Sequence, residues 1–434
     1  MEQRISIRHK FAAYVSKDIF GMIGISAYVL ADTFFIARGL GENGLVALNL
    51  AIPIFNFISG AGLMLGVGGS TKYVIARARS REDEAQAAFR GTMALAVGIS
   101  VILMLAGLLF SRQITALLKA DERVFEMTNI YLKMILLFTP AFVFEQIFVA
   151  FTRSDGAPGL SMAAVLSGSL FNILFDYLFI FPLHLGIFGA VLATVFSPVI
   201  GMIVLSFRRK KAGFRLKNGT LSGKTLWSIV TLGVPSMIAE VAAGVVMIVL
   251  NLLLLRVRGN VAVAAYGVIA NIAIVVSALY NGVAQGTQPL MSDAYGRGEM
   301  DGARRYLRYA LLTAAVFSVV IYGGMFALAG PVAAVFNRES DPVMQTLAVR
   351  GIRLYFSGMF FIGVNTMICA FFTATERPVP AQAVSLMRGI AVVLPAAFLL
   401  SAVFGLDGIW ITVPVSEGIT ALAAVILMRS KKAG

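Results

Sequence analysis

The sequence predicts an all-α integral membrane protein whose twelve membrane-spanning helices form two parallel six-helix repeats. The first observation behind this prediction is composition, because 59% of the 434 residues are hydrophobic and only 13% are charged. A soluble domain carries about a quarter charged residues, and its cores could not bury this much apolar surface. The other two observations are a series of long apolar runs and an internal repeat. A soluble enzyme, a disordered tail and a nucleic-acid module are thereby excluded.

The apolar runs are similar in length, and each is long enough to cross a bilayer, which takes about 20 residues. We place helices near residues 14–37, 46–70, 88–110, 129–152, 160–181 and 186–207, and a second set near 226–255, 261–290, 306–330, 345–373, 380–403 and 407–428. This pattern divides the chain into a first lobe at 1–207, a basic linker at 208–225 and a second lobe at 226–434.

Positive charge predicts the orientation of the chain. With the amino terminus inside, the inner segments hold about 25 Lys and Arg residues and the outer segments about 10, which is the excess that cytoplasmic loops show. The net charge of +14 therefore needs no nucleic-acid partner. We expect a multi-pass protein of the cell inner membrane with both termini in the cytoplasm.

The internal repeat is clearest in two glycine-rich stretches. The stretch that starts at Gly66 reads like the one that starts at Gly282, and the same offset of about 216 residues aligns Thr71 with Thr287. Because six is an even number, both six-helix copies enter the membrane from the same side and are parallel repeats. In transporters built this way the substrate path lies between the halves.

Acidic residues inside the predicted spans are the main functional candidates, because a carboxylate at the bilayer centre costs at least about 2.5–3.5 kcal/mol. Asp32 lies on the first helix and Asp176 on the fifth, where Asn172 is four residues away and shares a helix face with it. These three residues would form either a hard-oxygen site for Na⁺ or a pair of acids that shares one proton. A structural role at a kink or beside interfacial water is the alternative for Asp32.

The second repeat lacks this group, since Ala396 falls opposite Asp176 and Val392 opposite Asn172. If the acids only supported the fold, both repeats should need them. We therefore interpret these residues as a functional site that was added to one copy of a duplicated scaffold.

Other polar residues in the spans are candidates for the substrate path. Glu240 on the seventh helix can meet a cationic substrate, and Glu145 aligns with Asn365 across the repeat, so that both can line the path. Arg388 and Glu417 lie on consecutive late helices, and we expect them to form a structural pair.

The sequence offers no motif for an enzyme or a bound cofactor in the context that such a motif needs. Gly39–Gly44 matches the dinucleotide pattern GxGxxG, but it joins two predicted membrane helices and follows no strand. The chain has one cysteine, Cys369, and two histidines, so a Cys/His zinc site or a His-centred triad has no parts. No Walker A sequence for ATP is present either. We expect no catalysis, no cofactor and no certain metal beyond a coupling ion.

Several segments resemble the multidrug and toxic-compound extrusion (MATE) family of bacterial type. The matching segments are Ala31–Ile36, Val46–Pro53, Phe171–Asp176, Gly233–Ser236, Val263–Asn271 and Gly286–Gly296. The resemblance implies two lobes in a V that opens alternately to each side, with entry of H⁺ or Na⁺ driving the export of small organic compounds, expected to be cationic. It assigns Asp32, Asn172 and Asp176 to the ion site. Small-molecule drugs and membrane lipids are the expected partners, and a monomer is expected.

Two other functions stay open at this point. A lipid-linked oligosaccharide flippase of related fold predicts a wide cationic cleft, whereas Arg388 is the one basic residue clearly inside a predicted span. A non-transporting membrane scaffold needs no buried acids in one lobe.

Overall fold

The computed structural model describes residues 2–208, 210–216, 219–337 and 341–430, with side chains from residue 7 onward. These ranges contain helices and no strand. The helices are α1 Glu2–Ala78, α2 Glu82–Leu117, α3 Phe125–Leu137, α4 Thr139–Ser154, α5 Pro158–Ile180, α6 Gly186–Ser206, α7 Gly223–Arg258, α8 Asn260–Gly296, α9 Met300–Ala327, α10 Ala329–Phe336, α11 Pro342–Tyr355, α12 Met359–Ala374, α13 Pro378–Leu386, α14 Val393–Phe404 and α15 Leu406–Arg429. A 3₁₀ turn at Phe356–Gly358 joins α11 to α12, and a π-helical turn at Met387–Ala391 joins α13 to α14.

The described residues form twelve membrane spans. Ten helical segments are long and apolar enough to cross a membrane, and α3 with α4, bent by 48°, makes one more. The twelfth comes from α1, because its 77 residues would measure about 115 Å as one straight helix, far more than a bilayer. Gly41 interrupts it with φ 67° and ψ −156°, and we call the parts before and after it α1a and α1b.

Local chemistry explains where the observed helices differ from the predicted spans. The span predicted at 129–152 is broken at Phe138, because Pro140 lacks an N–H and begins a new helix instead of continuing the old one. The first helix starts at Glu2 instead of 14, and the helix predicted to end at 70 continues to Ala78.

The two halves, α1–α6 and α7–α15, are in contact near one end of the molecule and diverge toward the other. A core cluster that includes Ile36, Leu48 and Val191 is built from the first half alone. Two further clusters are mixed, since Ile229 of α7 joins a first-half core and Val15 of α1a joins the second-half core. The two residues that cross between the halves, Ile229 and Val15, lie toward the end of the molecule that carries the chain termini, which we call the terminus face. The opposite, open end of the V is the distal end.

Glycines allow the backbones of the two halves to touch near the terminus face. Gly68 on α1b lies against the carbonyl oxygen of Ile229, and Gly233 on α7 lies against the carbonyl oxygen of Met64. A Cβ atom at either glycine would overlap that oxygen, so these contacts require residues without a side chain.

The predicted basic linker is held at the terminus face by Asp155. Its carboxylate accepts a hydrogen bond from the backbone N–H of Gly213 at 2.9 Å, and Arg208 donates to its backbone carbonyl at 3.0 Å. Arg209, Lys217 and Asn218 of the linker and residues 431–434 lie outside the described residues. The lobe boundaries at 207 and 226 stay a prediction.

Candidate ion and substrate site

Asp32 and Asp176 meet inside the first half. Their carboxyl groups lie within hydrogen-bonding reach of each other, across the contact between α1a and α5. Asp176 is fully buried, and Asp32 is 8% exposed. Ionised carboxylates are acceptors only, so this contact requires a shared proton or a cation between the two groups.

Asn172 extends the group by one helical turn along α5. Its amide nitrogen donates weakly to the Thr194 hydroxyl on α6 at 3.5 Å, and that hydroxyl donates to the Ala190 carbonyl at 3.1 Å. Asn172 Oδ1, Asp32 Oδ1 and both carboxylate oxygens of Asp176 are buried without a hydrogen-bond donor in the described structure. Burying oxygen atoms without a hydrogen-bond donor costs free energy unless a proton or a hard cation binds them.

Tyr28 on α1a joins this pair to two further acids. Its phenol lies within electrostatic reach of Glu145, Asp32, Glu240 and Asp176. Glu145 lies on α4 and Glu240 on α7, and both are half-buried. Carboxyl groups on four helices, including one from the second half, therefore lie within electrostatic reach of a single phenol.

Glycines also set the positions of Glu145 and Glu240. The Glu145 carboxyl packs against the bare backbone of Gly201 on α6. The Glu240 side chain packs against Gly60 on α1b, so this acid of the second half rests on a helix of the first half. Motion between the halves would thus change the distance between Glu240 and the other acids.

In the part of the chain that the structure describes, these four acids lack a basic partner, unlike the buried acid Asp18. Within the described ranges, no Lys, Arg or His forms an ion pair with Asp32, Glu145, Asp176 or Glu240 or lies close enough to act on their charge. By contrast, Asp18 binds Arg153 at 2.7 Å. An uncompensated charge in a low-dielectric interior is strongly unfavourable, so the buried pair Asp32 and Asp176 needs a proton or another cation from outside the chain.

The remaining predicted residues form a separate network in the second half. Arg388 Nη2 and Nε donate to Glu417 Oε1 at 3.0 and 3.1 Å, which confirms the predicted pairing. Asn365 donates to Glu417 Oε2 at 2.6 Å and is fully buried. In this conformation Glu417 holds the Asn365 amide inside the helix bundle, and the place of Asn365 on the substrate path stays a prediction.

Three residues near the acids were not predicted from the sequence: Tyr28, Tyr131 and Thr194. Tyr28 is four residues before Asp32, a spacing that places both on one helix face and could have revealed it. Tyr131 is buried within electrostatic reach of Asp32 and Asp176, and its hydroxyl contacts Thr194. Nothing in the local sequence singles out Tyr131 and Thr194, because only the packing of α3 against α6 brings them to the site.

Comparison with known proteins agrees with this architecture. The family model MatE matches residues 19–178 and 235–399, which include all six predicted ion-site and path residues. The chain belongs to the MatE family. The multidrug export protein MepA of Staphylococcus aureus (strain NCTC 8325 / PS 47) is 26% identical over 409 residues, covering 92% of this chain and 89% of MepA.

Solved structures show the same fold at lower sequence identity. A MOP superfamily transporter from Pyrococcus furiosus is 21% identical with a TM-score of 0.91, covering 98% of this chain and 95% of that chain. A mutant of the Vibrio cholerae MATE transporter VcmN is 20% identical, again with a TM-score of 0.91, covering 100% of this chain and 99% of that one. The V of twelve helices is thus shared with MatE transporters.

Proposed function

We propose that this protein is a secondary active multidrug efflux transporter that exchanges H⁺ or Na⁺ for organic, chiefly cationic, compounds by alternating access. Membership of the MatE family and the relative named as a multidrug export protein support this proposal. The excess of Lys and Arg at the terminus face supports an inner-membrane protein with cytoplasmic termini. On this proposal the V opens to the outside, and the protein works as a monomer surrounded by lipid.

The observation that carries the proposal is the set of four acids without a basic partner. Asp32 and Asp176 are buried behind the cleft, whereas Glu145 and Glu240 are only half-buried beside Tyr28. The buried pair, with the Asn172 amide oxygen, suits a proton or Na⁺. The half-buried acids and the Tyr28 ring suit an organic cation, which gains from negative charge and from an aromatic face.

Competition for the same negative charge couples the two cations. When the ion occupies Asp32 and Asp176 from the distal side, it cancels part of the field that holds the organic cation near Glu145 and Glu240, and the organic cation leaves. A membrane potential of roughly 150 mV contributes about 3.5 kcal/mol for each net charge that enters, which corresponds to a concentration ratio of about a few hundredfold. Exchange of one ion for one monovalent organic cation moves no net charge, so the concentration gradient of the ion drives that exchange. The membrane potential contributes when the organic compound is neutral or when more than one ion enters per cycle.

Transport in proteoliposomes tests the proposal. The vesicles contain a fluorescent organic cation, and pH and Na⁺ gradients are imposed separately, so that the gradient that drives efflux names the coupling ion. We expect Asp176→Asn to abolish gradient-driven efflux. The matched control is Glu126→Gln, which removes one negative charge from an exposed pair with Arg112, and it should transport like the parent. Efflux by a folded Asp176→Asn protein at the parental rate would refute the assigned role.

The geometry does not favour a lipid-linked oligosaccharide flippase. Such a protein needs basic side chains directed into the cleft to bind phosphate. Arg388, the basic residue nearest the middle of a predicted span, is instead bound by Glu417 in the second half.

A further inference from the structure

The turn between α12 and α13 has an unusual residue at its centre. Glu376 adopts a left-handed backbone with φ 53°, a region that residues with a side chain seldom occupy. The turn ends α12 in the ordinary way, since the Arg377 N–H donates to the Phe372 carbonyl at 2.8 Å. Glycine is the usual residue at such a position, because it adopts a positive φ without steric cost.

The first half of the molecule contains the equivalent turn with that glycine. Residues 150–158 align with residues 370–378, and both segments begin with Ala-Phe and end with Pro. This alignment places Gly156, which has φ 87°, opposite Glu376. The turn itself therefore does not need a glutamate, and the presence of one in a strained backbone calls for a reason outside the turn.

The side chain of Glu376 supplies that reason, because it crosses to the other half. Its Oε1 lies 2.6 Å from Lys72 Nζ, and its Oε2 lies 3.5 Å from Arg79 Nη2, both on α1b. The Arg79 guanidinium also lies over the ring of Tyr295 on α8, 5.7 Å from its centroid. Each carboxylate oxygen thus has its own cation from the first half.

A second cross-half contact lies deeper, at the matching end of α4. Arg153, 5% exposed, is bound by Asp18 of its own half and donates to Gln285 of α8 at 2.9 Å. Gln288 of α8 donates to Thr71 of α1b at 2.9 Å. The ends of α4 and α12, which are equivalent in the repeat, therefore both reach the opposite half at the terminus face.

We infer that Glu376 with Lys72 and Arg79 forms a latch that holds the terminus face closed and sets how often the protein opens there. The three side chains are 21%, 29% and 36% exposed, so water and salt reach the latch and it can break and re-form. The buried Arg153 contact lacks this access. Ion pairs with this exposure each change an equilibrium by up to about fivefold, and two that act together by about threefold to tenfold.

Distances between spin labels at the distal end test this inference. In a Cys369→Ser background, labels at Leu183 of the first half and Val403 of the second half, both exposed, report how far the distal end is open. We expect Glu376→Gln to raise the population with a short distal distance about threefold to tenfold. Glu376→Gly should do the same and should also fold well, because it restores the residue that the backbone favours. Lys72→Gln should raise this population less in the Glu376→Gln protein than it does in the parent.

Controls separate the latch from general effects of charge and from the transport proposal. Glu126→Gln removes an equal charge from an exposed pair inside the first half and should leave the distances unchanged. High salt should shift the parent toward the Glu376→Gln distribution and shift that variant little. Unchanged distances in both Glu376 variants, or an equal shift in Glu126→Gln, would overturn the latch. The measurement needs no substrate, so its outcome is independent of which compounds the protein exports.

Discussion

Removing the guanidinium of Arg388 should destabilise the second half of the protein strongly. Glu417 is 9% exposed, and two of its three hydrogen bonds come from Arg388, with the third from Asn365. Breaking a buried ion pair by deleting one partner costs about 3–5 kcal/mol, because the remaining charge stays in a low-dielectric interior. Arg388 is itself one-fifth exposed, so we expect Arg388→Ala to lower the free energy of unfolding by about 3 kcal/mol, the lower end of that range.

A double variant separates the loss of attraction from the cost of an unpaired charge. Arg388→Met with Glu417→Gln removes both charges, keeps similar volumes and leaves an acceptor for the Asn365 amide. We expect it to cost about 1 kcal/mol, less than Arg388→Ala alone, because no buried charge remains. Unfolding in detergent is the assay, and Arg112→Ala, which breaks the exposed pair with Glu126, is the control and should change stability by less than about 1 kcal/mol. A double variant less stable than Arg388→Ala would refute the reasoning.

Two glycine substitutions test the backbone geometry. Gly68→Ala should force α1b away from the Ile229 carbonyl and shift the protein toward the state that is open at the terminus face. Shorter distances between the distal spin labels would report this shift. The control is Gly98→Ala, which has open space around it and should leave the distances unchanged. Gly41→Ala should lower the free energy of unfolding by about 1–3 kcal/mol, because φ 67° with ψ −156° is strained for any side chain, although no atom lies near. Gly267→Ala, inside α8 and uncrowded, should instead be neutral or stabilising by up to about 1 kcal/mol. If Gly41→Ala behaved like Gly267→Ala, the break in α1 would not exist as described.

Helical spacing predicted which candidate residues share a face, but packing between helices decided which faces meet. Asn172 and Asp176 share a face of α5 because they are four residues apart. Their contact with Asp32 depends on how closely α1a approaches α5, and Gly24 permits that approach by lying against Leu166. The sequence therefore suggested the ion site, whereas only the fold shows that Asp32 approaches Asp176.

The alignment of Asn365 with Glu145 across the repeat did not reveal the partner of the Asn365 amide. The alignment that matches Asn365 to Glu145 places Ser197 opposite Glu417. The second half thus has an acid on its last helix where the first half has a hydroxyl, and this acid binds the Asn365 amide. Equivalent residues of the two repeats therefore occupy the same backbone position, but their side-chain partners differ because the residues around them differ.

Glu376 shows a further limit of the sequence pattern. A glutamate in a polar turn looks like an ordinary solvated residue, and nothing in the spacing reveals a positive φ. Its alignment with Gly156 was visible in the sequence, but the meaning of that alignment depends on the backbone angle and on the cations that the other half places beside it.

Ion displacement from the purified protein is the most direct measurement of the exchange between a coupling ion and an organic cation. Tetraphenylphosphonium is added to protein in weakly buffered detergent solution, and released protons are followed with an indicator and released Na⁺ with a radioactive tracer. We predict that the parent releases one of these ions as the organic cation binds. The variant with Asp32→Asn and Asp176→Asn should bind the organic cation and release neither. Binding by the parent without release of either ion, or undiminished release by the double variant, would contradict the central role of the two buried acids.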